Sequence, residues 1–245
     1  MALRDLARQA KALPKLRNLT DLTGFARLLS PIAREKVIRV KALGGQTVTL
    51  RGGTSDTATF LDVFYYRPHL PAAIKPRLIW DLGANIGLTM AHLAHTFPPA
   101  HIVGVELDPA NATLARRNTQ PWADRCEVIC APVWSERLMV GIQRQRGHES
   151  GFRVALDGGE IDTLLLNDLL AETGSPDYVK MDIEGAERHV LVSAVAWASH
   201  VRALKVECHG SYTADECAQD LARLGFRATV EARHGHGRPA VFGMR

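Results

Sequence analysis

The sequence predicts an α/β sandwich: a mostly parallel sheet with helices on both faces and its last strand antiparallel, behind an N-terminal extension of helices and a hairpin. Three observations predict it. Apolar strand-like runs alternate with helical runs over residues 78–231, the pattern of βαβ units. Residues 78–80 turn through Gly83 and Gly87 into a helix carrying Ile86, Met90, Leu93 and Ala94. Such a turn brings bare backbone and helix N–H groups close to a ligand. Residues 101–106 form a second buried run ending in Glu106, 25 residues after Asp81. In such sheets the ligand crevice lies at the carboxyl ends of the strands.

The elements follow in order. Residues 2–17 space Leu3, Leu6, Ala7, Ala10, Leu13 and Leu16 as a basic amphipathic helix, which Pro14 should end or kink. A second helical piece, residues 22–29, stops at Ser30-Pro31. Residues 37–40 and 47–50 alternate around Gly44-Gly45 and predict a β-hairpin. The polar loop Arg51-Gly-Gly-Thr-Ser-Asp56 precedes an apolar helix through Phe60, Val63 and Phe64. There Ser55 and Asp56 either cap the helix or cover one end of a ligand. Asp108-Pro109 reads as an N-cap and first helical residue, and the helix runs to about Asn118. Residues 126–130 form the third strand, followed by Ala131-Pro-Val-Trp134. Residues 138–142 and 152–156 read as two strands around a polar loop, an insertion suited to specificity. Residues 161–170 read as a helix, 176–182 as the fourth strand, 187–198 as its helix and 202–207 as the fifth strand. Thr213 with Glu216 is a capping box opening a helix to residue 224. Residues 226–231 and 239–244 pair as a closing hairpin across His234-Gly-His-Gly237. That gives two regions, an extension over residues 1–75 and a ligand-binding domain over 76–245.

The strand ends describe a cofactor site. Asp81 and the backbone of Gly83, Ala84, Asn85 and Gly87 serve one end, and Glu106 offers a carboxylate to a ribose. A dinucleotide fingerprint places glycine where Asn85 stands, which opposes a pyrophosphate. An adenosine cofactor without phosphate, S-adenosylmethionine (SAM), fits better. Leu107 and Val133 would line its adenine end.

Asp81-Leu-Gly-Ala-Asn-Ile-Gly87, Gly104-Val-Glu-Leu-Asp-Pro109, Val179-Lys-Met-Asp-Ile-Glu-Gly-Ala-Glu187 and Val206-Glu-Cys-His209 together resemble the FkbM family of SAM-dependent methyltransferases. Arg51-Gly-Gly-Thr-Ser-Asp56 is also similar to that family, which places Ser55 and Asp56 near the methionine end of the cofactor. The resemblance implies a Rossmann-like class I methyltransferase sandwich and methylation of a hydroxyl in a small molecule, natural product or glycan.

Methyl transfer to oxygen needs positioning, which contributes roughly 7–11 kcal/mol, and removal of a proton. Asp182 ends the fourth strand and Glu184 follows by two residues, so in extended chain both carboxylates share a face. Glu187 has a structural explanation in the helix dipole. Paired acids at a buried strand end cost desolvation unless they bind something. Asp182 ranks first, as base or metal ligand, and His209 second, as base. Asp-x-Glu would suit a hard divalent ion. No tightly held metal is expected, since nothing else in the chain completes its shell.

Composition narrows the classes. At 46% hydrophobic and 23% charged, the chain is ordinary globular protein. No apolar run approaches the roughly 20 residues that span a bilayer, and no secretory signal is expected. The four cysteines lack C-x-x-C spacing, which reads as reduced thiols in the cytoplasm. Residues 1–41 carry ten Lys/Arg against three Asp/Glu. Their helix is expected to pack on the core or on a second copy, with peripheral membrane contact as the alternative. Nucleic-acid and protein methylation are weighed lower, because the Asn/Asp-Pro-Pro-aromatic box is absent and the basic residues lie far in sequence from the cofactor motifs. A non-catalytic domain would have no need of Asp81, Glu106, Asp182 and Glu184, and Asn85 opposes an NAD-linked oxidoreductase.

Overall fold

A computed structural model of the chain describes residues 13–71, 74–144, 151–156, 159–193, 195–231 and 238–245. His234 and His236 therefore lie outside the described residues, as does most of the basic helix. Helical residues 13–19 (α1) continue through Pro14, which stands near the start of the described run. Helix α2 (Leu22–Leu29) begins at Asp21, whose side chain accepts from Gly24 N at 2.7 Å. Strands β1 (Glu35–Arg39) and β2 (Thr47–Arg51) form the expected antiparallel hairpin. Helix α3 (Asp56–Leu61) widens into a π-helical turn at Asp62–Tyr66.

The central sheet uses β3 (Leu78–Leu82), β4 (His101–Glu106), β5 (Cys126–Cys130), β9 (Tyr178–Met181), β10 (Ala203–Glu207), β11 (Arg227–Glu231) and β12 (Ala240–Met244). Their order is β11-β12-β10-β9-β3-β4-β5. Every pairing from β5 to β10 is parallel, and β12 alone is antiparallel, inserted between β10 and β11. This is the predicted sandwich. The chain reverses direction in the sheet between β3 and β9, the switch point where a crevice must open.

Strand alternation divides the core. Ile79 and Ile102 face α4 (Leu88–Thr96), α5 (Pro109–Thr119) and the extension, joining Ile38, Leu50, Phe60 and Phe64. Trp80, Val103, Val179 and Leu204 face the other layer with Leu169 of α6 (Leu166–Thr173), Leu191 of α7 (Glu187–Val192) and Leu221 of α8 (Ala214–Arg223). Leu16, Leu19 and Leu28 are buried in the first cluster, so the described part of the extension packs on the core. Among the described residues no helix is long and apolar enough to cross a membrane.

Capping follows the sequence. Asp108 accepts from Ala110 N and Asn111 N, with Pro109 behind it; such a cap is worth about 1 kcal/mol. Thr213 and Glu216 close a reciprocal capping box on α8. Two elements differ from expectation. Ile161–Asp162 is a short strand, β8, paired with β6 (Met139–Gln143), which also pairs with β7 (Arg153–Ala155); the helix starts only at Leu166. The β-branched Ile161 and the pairing edge offered by β6 override helical spacing there. The helix after β9 ends at Val192, and a 3-10 turn, Val195–His200, carries Trp197 into the core.

Candidate active site

The cofactor crevice is built by strand ends meeting glycines. Gly83 has φ +84°, and a Cβ there would stand 1.8 Å from Asp182 O, so β3 and β9 meet backbone to backbone. Asn85 also has positive φ, +48°, a conformation asparagine tolerates better than most residues. Gly83 N and Ala84 N donate to Val105 O, each at 2.9 Å. The buried Glu106 carboxylate accepts from Asn85 N at 2.7 Å, Asp108 N at 2.9 Å and Asn111 Nδ2 at 3.3 Å. Burial pushes the Glu106 carboxyl up, against those three donors.

One cavity runs from this crevice over β9 and β10. Its cofactor end is lined by Gly83, Ala84, Asn85, Glu106, Leu107, Asn111 and Val133. Its far end is lined by Lys180, Asp182, Glu184, Lys205, Glu207, His209 and Arg238, under Thr59, Asp62, Pro68 and His69 of the extension and Phe152 and Val154 of the insertion. Asn85 Oδ1 and His69 Nδ1 are buried with no hydrogen-bond partner among the described residues, and both residues line the cavity.

Several sequence-predicted residues sit one layer behind this wall. Asp81 is fully buried and meets Lys180 Nζ at 3.1 Å. Gly87 caps the start of α4 with φ +78°, where a Cβ would stand 2.8 Å from Ala115 Cα. Ser55 and Asp56 do not line the cavity. Asp56 instead accepts from Arg51 N, Nε and Nη2 at 2.8–3.0 Å, closing its own loop rather than capping α3. The wall they were expected to form comes one helical turn later, from Thr59, Asp62 and Val63. Trp134 stacks on His189 at 4.5 Å and faces a second hollow with Arg188 and Tyr212.

The far end is a charge cluster. Lys180 Nζ donates to Gly83 O at 3.0 Å and forms ion pairs with Asp81 Oδ1 at 3.1 Å and Asp182 Oδ2 at 3.3 Å. Burial opposes its charge, but Asp81 and Asp182 outweigh burial and raise its pKa. Burial raises the Asp81 carboxyl more than Lys180 lowers it, although the two are in contact. Asp182 is held below the usual range by Lys180 and His209, against burial. Glu184 reaches the cluster through a turn with φ +53°, not through extended alternation. Glu187 accepts from Ile183 N at 3.0 Å and Gly185 N at 2.9 Å, and from His209 Nδ1 at 2.8 Å. It therefore shapes the turn and fixes the imidazole, beyond any dipole effect. Burial works against a charged His209, but hydrogen bonds to Glu184 and Glu187 and the Asp182 charge push it up to about 11. His209 thus faces carboxylates at both ring nitrogens, Glu187 at Nδ1 and Glu184 and Asp182 at Nε2.

Sequence reasoning missed Glu207 and Lys180. Glu207 ends β10 as Asp182 follows β9, and desolvation together with Asp182 pushes it up to about 7. A lysine inside the apolar run Tyr178–Met181 needs a buried partner, which was the available signal. The pair His69 and His92, in contact at 2.9 Å, carried no sequence signal.

Sheet order, the crevice at the switch point and the acid ending β4 define a Rossmann-like methyltransferase. Residues 81–228 match the methyltransferase FkbM domain, and the chain belongs to that family. The crystal structure of methyltransferase FkbM from Methylobacillus flagellatus KT superposes with a TM-score of 0.53 at 16% identity, covering 98% of this chain and 60% of that one. A curated relative, the tRNA1(Val) (adenine(37)-N6)-methyltransferase of Porphyromonas gingivalis, is 35% identical over 78 residues. That match covers 30% of this chain and 31% of the relative.

Proposed function

We propose that the protein moves a methyl group from SAM to a hydroxyl oxygen of a small molecule, natural product or glycan. One observation carries the reading: a crevice with a strand-end carboxylate and an orphaned acceptor opens directly onto a polar chamber. Glu106, which lines the crevice, is read as the acceptor of ribose hydroxyls, and Asn85 Oδ1, buried without a partner among the described residues, as the acceptor of a donor that SAM can offer. Bound there, SAM supplies an electrophilic methyl. The chain's part is to position the acceptor and handle its proton. Lys180 holds the cofactor loop and Asp182 together. Asp182 Oδ1, not engaged by that lysine, is the group proposed to meet the acceptor hydroxyl, directly or through an ion. Glu184 and His209 set its surroundings. Thr59, Asp62, Val63, Pro68 and His69 of the extension line the chamber, and residues 1–30 are read as an extension for self-association or for covering the acceptor site, tested by sedimentation and acceptor KM of a truncated chain.

The second reading is nucleic-acid methylation, favoured by the 78-residue likeness to a tRNA methyltransferase. Against it, none of the described residues up to Lys41, where the basic excess lies, lines the cavity. Methyl-labelled SAM offered to sugars, polyketide alcohols, sugar-lipids and tRNA decides. Label is expected in the hydroxyl acceptors; label in tRNA alone would reverse the assignment. Asp182→Asn should lose transfer while keeping SAM affinity.

A further inference from the structure

Two hollows meet at His209. The cofactor cavity reaches it from one side, and the hollow walled by Trp134, Arg188 and Tyr212 from the other. Glu187, an acceptor when ionised, takes the Nδ1–H at 2.8 Å. That contact fixes the ring and turns Nε2 toward Glu184 Oε2 at 3.4 Å, Asp182 Oδ1 at 3.5 Å and Glu207 Oε1 at 4.0 Å. Three carboxylate oxygens around one imidazole nitrogen make a pocket of negative potential, and a divalent cation entering it would take the place of the Nε2 proton. Donors about 2.1–2.2 Å from a shared ion, at roughly 90–120°, stand about 3.0–3.8 Å apart; Asp182 Oδ1 meets that spacing from Nε2 at 3.5 Å, and Glu207 Oε1 lies just beyond it at 4.0 Å. Asp182 commits Oδ2 to Lys180 and leaves Oδ1 on this side.

We infer that Asp182, Glu207 and His209 form a site for a divalent metal ion, with Glu187 as the positioning residue that orients His209. The three donor atoms lie within 4.8 Å of one another. The carboxylate behind the imidazole is the usual support of a metal-bound histidine. Two hard oxygens and one imidazole suit a manganese-like ion, which accepts both ligand types. This reverses the sequence expectation of no metal, which counted only the Asp-x-Glu pair. The ion's open coordination positions would be reached from the cavity that Asp182, Glu207 and His209 all line. That they receive the acceptor hydroxyl rests on the methyl-transfer reading; the ion site does not.

The test is Mn²⁺ titration of the full chain, stripped with EDTA and desalted, followed by electron paramagnetic resonance of the free ion. One saturable site per chain is expected. His209→Ala and Glu207→Gln should each weaken it at least tenfold, and Glu187→Gln by about tenfold. Asp168→Asn, at the exposed pair with Arg137, should leave it unchanged. SAM calorimetry on the same variants checks their folding. If His209→Ala does not fold, Glu207→Gln decides, since that side chain is 28% exposed. No saturable Mn²⁺ binding by the wild type, or wild-type binding in the folded variants, overturns the inference. SAM binding without Mn²⁺ binding defeats the ion site alone; Mn²⁺ binding without SAM binding defeats the cofactor reading alone.

Discussion

Asn118 offers the sharpest test of how the extension is tied to the cofactor loop. Its side chain is buried at the end of α5. Oδ1 accepts from Thr49 N at 2.7 Å, and Nδ2 donates to Thr49 O at 3.0 Å and to Ile86 O at 2.8 Å. One amide therefore clips a strand of the hairpin to the turn that lines the cofactor cavity. Asn118→Ala removes all three bonds and leaves a buried N–H and two carbonyls without partners. Each lost bond is worth about 1 kcal/mol and an orphaned group costs more, so a loss of about 3–4 kcal/mol is expected. For a chain of this size that corresponds to roughly 6–16 °C in Tm. Differential scanning fluorimetry, with and without SAM, reads both the drop and the remaining ligand protection. A single cooperative transition is expected, because hairpin and sheet share one core cluster. A shift under about 2 °C would refute this accounting, and a split transition would show that hairpin and sheet unfold separately.

Three further outcomes follow from the geometry. Gly83→Ala adds a Cβ 1.8 Å from Asp182 O at φ +84°; overpacking and the left-handed backbone together should cost about 2–5 kcal/mol, read by thermal unfolding, and SAM binding should weaken with it. Glu106→Ala loses charge-assisted bonds to the loop and to a ribose, each worth about 1.5–3 kcal/mol, so calorimetry should show SAM affinity falling at least tenfold; unchanged affinity removes Glu106 from the site. Burial holds His69 well below 6.5 and His92 at about 4. Unfolding lets both bind protons near pH 6.5, so their contribution is complete above that pH and is lost as pH falls toward 4. His92 alone should cost about 2 kcal/mol at pH 5, at about 1.4 kcal/mol per pH unit. Urea unfolding at pH 7 and pH 5 measures the slope, and His92→Gln should flatten it relative to wild type.

Local chemistry was legible in the sequence, and meetings across the chain were not. Asp108-Pro109 and the Thr213 capping box are decided within four residues, and both form as read. The crevice residues were legible because a strand that turns through glycine into a helix has few alternative uses. Asp56 was misread because its competing partner, Arg51, lies five residues back and closes the loop with three bonds, which a search forward for a helix cap does not see. His69 and His92 meet only once α4 is laid against the extension. Glu207 carried the same strand-end signal as Asp182, but the importance of either depends on β9 and β10 being neighbours, which is topology rather than spacing.

The place of β12 in the sheet bears on how the molecule is made. β12 is the last strand in chain order, yet it lies inside the sheet, with β10 on one side and β11 on the other. Until it arrives, β11 has no strand to pair with and β10 presents an open edge beside the residues that carry Glu207 and His209. A chain in which β12 has not yet docked therefore carries a sticky flank, beside the strand end that helps to wall the acceptor chamber. Lesions that slow or shorten synthesis near β12 should surface as aggregation rather than as a weak enzyme.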